Sequence, residues 1–316
     1  MKAIAVSKFK DAPEVMELPV PALRPGMLLI RVAAAGINPY DWKLVDGIMD
    51  GHMKHQFPLI MGNDAAGTVE AVGEGVTRFK AGDRVYGQFI HSPIGEGSYA
   101  EYAIVPEKAL ISSPPKKVSM LEAAAIPTAG MTAQQLIERS GLKHEQVLLL
   151  VGATGGVGSF VIQLATMQGI YVIATVGDEE GVERVTKLGA KETINYKKLS
   201  VEKQIKTKYP DGVDGLIDVA SNPDAFKTMS GLVRKGGVAL TTAFVADDND
   251  LKEKGLTGGN FEMKGTVATL DALTDAVDSG LLRVPVEQVI SLEEVPGAIA
   301  LSRQGKGKGK TVIKID

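Results

Sequence analysis

Between residues 147 and 244 the apolar positions fall into short, nearly unbroken runs separated by amphipathic stretches. VLLLVG (147–152), YVIATV (171–176), ETINY (192–196), GLIDVA (215–220) and VALTTAF (238–244) read as strands, the last following the turn at Lys235-Gly236-Gly237. SFVIQLATMQG (159–169) and EEGVERVTKLG (179–189) repeat their apolar residues at helical spacing, and NFEMKGTVAT (260–269) reads as a sixth strand. Apolar strands joined by helices predict a parallel sheet covered on both faces, an α/β fold.

The first 115 residues are patterned differently. MKAIAVSKF, LLIRVAAAGIN, AAGTVEAVG, DRVYGQF and SYAEYAIVP have strand character, with turn signals at Arg24-Pro25-Gly26, Gly73-Glu74-Gly75 and Ala81-Gly82-Asp83. That spacing predicts a small, irregular β-barrel-like domain. Ser119-Met120-Leu121-Glu122 is a capping-box pattern that opens a helix running toward Arg139-Ser140-Gly141. The Lys-Gly run at 305–310 reads as a flexible connector to a final strand, TVIKID.

Composition acts mainly by exclusion. A chain of 316 residues is long enough for two domains, and 44% hydrophobic with 23% charged residues is a soluble globular balance. A net charge of −3 and a pI of 5.9 give no pull toward nucleic acid as main ligand or toward anionic membrane. No apolar run approaches the roughly 20 residues of a membrane span, and the N-terminus turns charged too soon for a secretory signal. A cytoplasmic protein is expected. The absence of cysteine excludes disulfides, thiolate nucleophiles and Cys-based zinc sites.

The most chemically specific stretch is LVGATGGVGSF (150–160). Ala153, Gly155 and Gly158 occupy the three small-residue positions of G-x-G-x-x-G, with Thr154, Gly156 and Val157 completing the turn. A strand precedes the turn and a helix follows, so backbone N–H groups and the positive helix end face a pyrophosphate. The next strand ends at Val176-Gly177 without the acid that would hold the ribose hydroxyls of NAD. Asp178 and Glu179 follow, where acids favour a helix N-terminus, and Arg184 lies further on. The reading is NADPH, with NADH disfavoured. Ser221 and Ala243-Phe244 fall at carboxyl ends of parallel strands, where α/β ligands bind.

AAGINPYDWKLVDG (34–47), MGNDAAGTVEAVGEGVTRFKAGDRVYG (61–87), AAAIPTAGMTA (123–133), VGATGGVGSFVIQLA (151–165), LGAKETINY (188–196) and GKTVIKI near the end carry a family resemblance. The chain resembles the zinc-independent medium-chain dehydrogenases/reductases, in the quinone oxidoreductase (zeta-crystallin-like) branch that includes enone and alkenal reductases. The resemblance implies a GroES-like catalytic domain from 1–122 and 270–316, a Rossmann NADP-binding domain over 123–269, and an active site in the cleft between. A homodimer is expected.

Zinc members of that superfamily place a Cys, a His and a Cys or Asp on the metal. The matching positions here are Asn38, Asn63 and Thr128, and no metal is expected. The histidines are His52, His55, His91 and His144, and His52-x-x-His55 reads as a solvated loop pair. Alcohol oxidation, which wants a Lewis acid, is disfavoured, and reduction of an electron-poor acceptor fits better.

The resemblance sets Asn38 and Lys43 beside the nicotinamide. The Lys43 ammonium would hydrogen-bond the cofactor ribose and polarise a substrate carbonyl, the alternative being a solvated surface charge. Tyr40 would contact substrate or pack, Asp41 would fix the loop backbone, and Asn63 would serve the cleft or the structure. Thr128 and Gly130 match positions against the nicotinamide ring, with capping and close contact as the alternative. Tyr196 matches a position near the adenine or its 2′-phosphate. Gly181 stands nearest to where some members carry a 2′-phosphate lysine. The expected function is hydride transfer from NADPH to a quinone or to the β-carbon of an enone. An enoyl-thioester reductase and a non-catalytic NADPH-binding protein are the alternatives.

Overall fold

In the computed structural model, which describes residues 1–307 and 309–316, the N-terminal alternating segments pair into two sheets. In chain order they are β1 (Lys2–Val6), β2 (Glu14–Glu17), β3 (Met27–Gly36), β4 (His55–Ile60), β5 (Asp64–Val72), β6 (Arg84–Gln88), β7 (Ile94–Glu96), β8 (Tyr102–Pro106) and β9 (Ile111–Ser112). One sheet runs β2-β1-β4-β7. The other is built on β3, with β5 on one side and β8 also paired to it. Leu28, Ile30 and Val32 of β3 bury every second side chain against Val69, Val85 and Val105, as period-two patterning requires.

Helix α1 (Pro39–Val45) follows β3 directly. The helix expected from Ser119 onward is two: α2 (Met120–Ala125), capped reciprocally by Ser119 and Glu122, and α3 (Pro127–Ser140). Pro127 has no N–H to continue α2, but its fixed φ suits the first position of a new helix.

The strand–helix alternation after residue 146 forms the expected doubly wound sheet. Its strands are β10 (Val147–Val151), β11 (Tyr171–Val176), β12 (Glu192–Asn195), β13 (Val213–Asp218), β14 (Val233–Thr241) and β15 (Thr257–Asn260), all parallel, in the order β12-β11-β10-β13-β14-β15. The intervening helices are α4 (Gly156–Met167), α5 (Glu179–Lys187), α6 (Val201–Lys208), α7 (Pro223–Ser230) and α8 (Asp248–Glu253). The order reverses between β10 and β13, the switch point where such sheets bind ligands.

The sixth strand is not NFEMKGTVAT but the preceding TGGN. A Cβ at Gly258 would lie 2.1 Å from the Ala239 carbonyl oxygen, so only glycine lets this edge strand approach β14. Most of NFEMKGTVAT is irregular, and its end enters α9 (Val267–Asp278).

Beyond α9 come β16 (Gln288–Ile290), α10 (Val295–Arg303) and β17 (Thr311–Lys314). β17 pairs antiparallel with β3, Val312 opposite Gly36, which extends the second sheet to β16-β17-β3-β5-β6-β9. The chain thus divides into two compact units, Met1–Met131 with Gly265–Asp316, and Thr132–Lys264. Helix α2 lies against β3, β5 and β17 within the first unit. No helix among the described residues is long and apolar enough to cross a membrane.

Candidate active site

The sequence candidates divide between the two units. In the first, the end of β3, the start of β5 and the start of α3 meet in a buried polar cluster centred on Asp64, which is 0% exposed. Asp64 Oδ2 accepts from Asn38 Nδ2 at 2.9 Å and from the Thr128 N–H at 2.9 Å. Asp64 Oδ1 accepts from the Thr128 hydroxyl at 2.6 Å and from Asn63 Nδ2 at 3.3 Å. The Thr128 hydroxyl also accepts from Asn63 Nδ2 at 3.0 Å and from Gln88 Nε2 at 2.7 Å, so its one proton and both lone pairs are engaged.

The cation of the cluster is Lys310. Its Nζ donates to Asn38 Oδ1 at 2.7 Å and to the Ile37 carbonyl at 3.1 Å, and stands 3.9 Å from Asp64 Oδ2. Of the run read as a flexible connector, Lys308 lies outside the described residues, but Lys310 is a buried, fixed side chain. Gly36 makes room: a Cβ there would lie 2.3 Å from the Ala124 carbonyl oxygen and 3.1 Å from Lys310 Nζ. Burial pushes the Asp64 carboxyl up and the Lys310 ammonium down, and each charge offsets part of that for the other.

Asp41 fixes the loop backbone, as its position in the sequence suggests. Its Oδ2 accepts from the Asn38 N–H at 2.7 Å and from the Tyr99 hydroxyl at 2.6 Å, while Oδ1 is buried without a partner. Asp41 also lines a cavity of about 10 Å³, bordered by Leu59, Met61 and His91, enough for one water. Burial pushes the Asp41 carboxyl up to about 7, with the Tyr99 hydrogen bond opposing. The folded state therefore holds this proton more tightly than the unfolded chain. The stabilisation is complete below the unfolded value of 3.8 and is lost as pH rises through about 7. Asp41→Asn is expected to remove up to roughly 3 kcal/mol of the stability lost between about pH 5 and pH 8. Urea unfolding at about pH 5 and about pH 8 measures it, and identical pH dependence in both proteins would refute it.

Lys43 and Tyr40 lie on α1. The Lys43 ammonium is 5.7 Å from the Trp42 ring and pairs with no carboxylate among the described residues. Tyr40 packs partly buried against the core. Gly130 serves close contact, since a Cβ there would meet Leu273 at 3.0 Å and Ile126 at 3.2 Å.

The metal positions do not fit zinc. Asn38, Asn63 and Thr128 offer amides and a hydroxyl, where Zn²⁺ takes thiolate, imidazole or carboxylate. These groups are already bonded to Asp64 and Lys310. His55 lies edge-on to Phe9 at 4.9 Å and His52 is exposed. No cluster of three His, Cys, Asp or Glu able to hold a metal exists among the described residues.

In the second unit, the turn after β10 is shaped for a close approach. Gly152 has φ +82°, and Gly155 is the N-cap of α4. A Cβ at Gly158 would lie 2.3 Å from the Gly152 carbonyl oxygen and 2.7 Å from Ala153 Cα, so this glycine seats the helix on the turn. A Cβ at Gly155 would meet only the Gly152 oxygen, at 3.4 Å, so Gly155 leaves space open before the helix. The N–H groups of Gly156, Val157 and Gly158, in the first turn of α4, have no intrahelical partner and suit an anion.

At the tip of β11, Asp178 caps α5, accepting from the Gly181 N–H at 2.7 Å. A Cβ at Gly181 would crowd Thr154 at 3.1 Å, and one at Gly177 would lie 2.7 Å from the Tyr196 hydroxyl and 3.5 Å from Lys197 Cε. Tyr196 (55% exposed) and Lys197 therefore border Gly177. At the carboxyl ends of β13 and β14, Ser221 donates its N–H to Asp218 at 2.9 Å, and Ala243 donates to Thr241 Oγ1 at 3.0 Å. Phe244 is 58% exposed and held at φ +59°, uncommon for a non-glycine residue.

Asp64, Gln88, Tyr99, Lys197 and Lys310 were not legible as site residues. Each is an ordinary polar residue in a strand or turn, distinguished only by what the fold brings beside it.

Family models match both units: one for the alcohol dehydrogenase GroES-like domain covers residues 24–115, and one for zinc-binding dehydrogenase covers 156–279. Quinone oxidoreductase of Homo sapiens is 32% identical, with 99% of this chain and 97% of that protein aligned. 2-Methylene-furan-3-one reductase of Solanum lycopersicum is 33% identical, over 93% of this chain and 73% of that protein. The chloroplast envelope quinone oxidoreductase homolog of Arabidopsis thaliana is 38% identical over 58% of this chain, and the match spans only 56% of that protein's length. The quinone oxidoreductase from Coxiella burnetii has a TM-score of 0.87 at 28% identity, covering 100% of this chain and 99% of that one. A GroES-like unit joined to a Rossmann unit defines the class. The chain belongs to the medium-chain dehydrogenase/reductase family, and quinone oxidoreductases are among the proteins it is similar to.

Proposed function

We propose that this protein is an NADPH-dependent, zinc-independent reductase that passes hydride to a quinone or to the β-carbon of an α,β-unsaturated carbonyl. The observation that carries this reading is the donor set at the family's metal positions. Asn38, Asn63 and Thr128 are tied into a hydrogen-bonded cluster and suit no Lewis acid. Without one, acceptors that need little activation remain. The bound cofactor supplies hydride at nicotinamide C4. The first-turn N–H groups of α4 hold its pyrophosphate. Tyr196 and Lys197 take the adenosine 2′-phosphate, while Asp178, the first carboxylate after Gly177 in the chain, is occupied in capping α5. The Lys43 ammonium polarises the acceptor carbonyl, and the proton comes from solvent. The names of the human and tomato relatives, a quinone oxidoreductase and a 2-methylene-furan-3-one reductase, support both acceptor classes.

Fluorescence titration with NADPH and NADH, followed by an acceptor panel run with and without chelator, tests this reading. The panel holds a benzoquinone, a naphthoquinone, a short alkenal, a cyclic enone and an enoyl-CoA. NADPH should bind more tightly, quinones or enones should react, simple ketones should not, and chelator should leave the rate unchanged. NADH binding tighter by about tenfold, roughly 1.4 kcal/mol, or a stoichiometric metal that restores activity, would overturn it. Turnover of the enoyl thioester alone would reassign the substrate.

A further inference from the structure

Lys310 is 3% exposed and stands 272 residues from Asn38 in sequence, yet it is the only cation within ion-pair distance of Asp64 among the described residues. The pairing of β17 with β3 carries it there: Val312 sits opposite Gly36, and the Ile37 N–H donates to the Thr311 carbonyl at 3.0 Å. The ammonium holds the oxygen end of the Asn38 amide at 2.7 Å while Asp64 holds the nitrogen end at 2.9 Å, so the amide has one orientation that satisfies both. The same Asp64 carboxylate takes both the N–H and the hydroxyl of Thr128.

We propose that Lys310 is a positioning residue of the reductase site: its ammonium sets the orientation of Asn38 and, through Asp64, of Thr128. The consequence for turnover rests on the function proposed above, whereas the consequence for side-chain orientation does not. A buried ion pair is weak evidence for a stabilising role, because replacing both partners by well-packed apolar groups of similar volume is often harmless to stability. Loss of one partner leaves a buried charge uncompensated and costs far more. Removing both charges therefore separates positioning from stability.

The experiment compares Lys310→Met, Asp64→Asn and the double variant by thermal unfolding, by NADPH titration, by kcat and KM on whichever acceptor the panel identifies, and by crystal structure. Lys310→Met is expected to melt earlier than the wild type, and the double variant to recover most of that loss. In the double variant kcat should stay at least about tenfold down, the scale of effect that misplaced groups produce, with NADPH affinity within about threefold of wild type. The crystal structure of Lys310→Met, which leaves the Asp64 carboxylate in place, should show the Asn38 amide turned or the Thr128 hydroxyl released. Recovery of kcat together with stability, or unchanged Asn38 and Thr128 geometry, would overturn the proposal. If the wild type reduces no acceptor, the functional reading falls and the crystal structure alone decides the role of Lys310.

Discussion

Gly155→Val is expected to yield a folded protein that has lost at least about a hundredfold in affinity for NADPH, some 2.7 kcal/mol. The fold should tolerate the change, because the backbone at this N-cap has φ −78° and ψ 172°, a region open to valine. The first atom added meets only the Gly152 carbonyl oxygen at 3.4 Å, an ordinary contact. The remaining methyl groups extend into the space before α4, which the pyrophosphate must enter to reach the helix N–H groups. Gly158→Val is the contrasting case: its Cβ would lie 2.3 Å from backbone oxygen, so that variant should fail by destabilisation instead. Circular dichroism with a cofactor titration distinguishes the two. A Gly155→Val protein that binds NADPH normally would remove the phosphate-loop assignment.

Lys43→Ala is expected to lower enone turnover by roughly 10–1000-fold, the range seen when one oxyanion donor is removed. The ammonium is available as a donor, since among the described residues its recorded partner is the Trp42 ring, 5.7 Å away, and no carboxylate there neutralises it. Quinones, already electron-poor, should lose less. Steady-state kinetics on a cyclic enone and a naphthoquinone with one enzyme preparation gives the comparison. Equal losses on both acceptors, with weaker NADPH binding, would move Lys43 to the cofactor ribose. Unchanged rates would leave it a surface lysine and remove it from the mechanism.

The doubly wound sheet and the glycine turn that enters α4 were legible in the sequence because every requirement is local. Val147 to Gly158 contain the strand, the turn and the helix start, and small residues at 153, 155 and 158 report directly how closely backbone must be approached. Which residues stand at the family's metal positions, Asn38, Asn63 and Thr128, is read from residue type alone. What resisted reading was whatever depends on a distant neighbour. TGGN has almost no strand propensity, and its place at the sheet edge is set by how closely its backbone must pass Ala239. Above all, Lys310 stands in a Lys-Gly run whose composition predicts solvent and flexibility, and only the register of β17 on β3 turns it inward to Asn38 and Asp64. A buried charge is tolerable only where acceptors and a countercharge converge on it. That convergence joins segments hundreds of residues apart, so residue type and periodicity carry no trace of it, and the tertiary structure alone decides it.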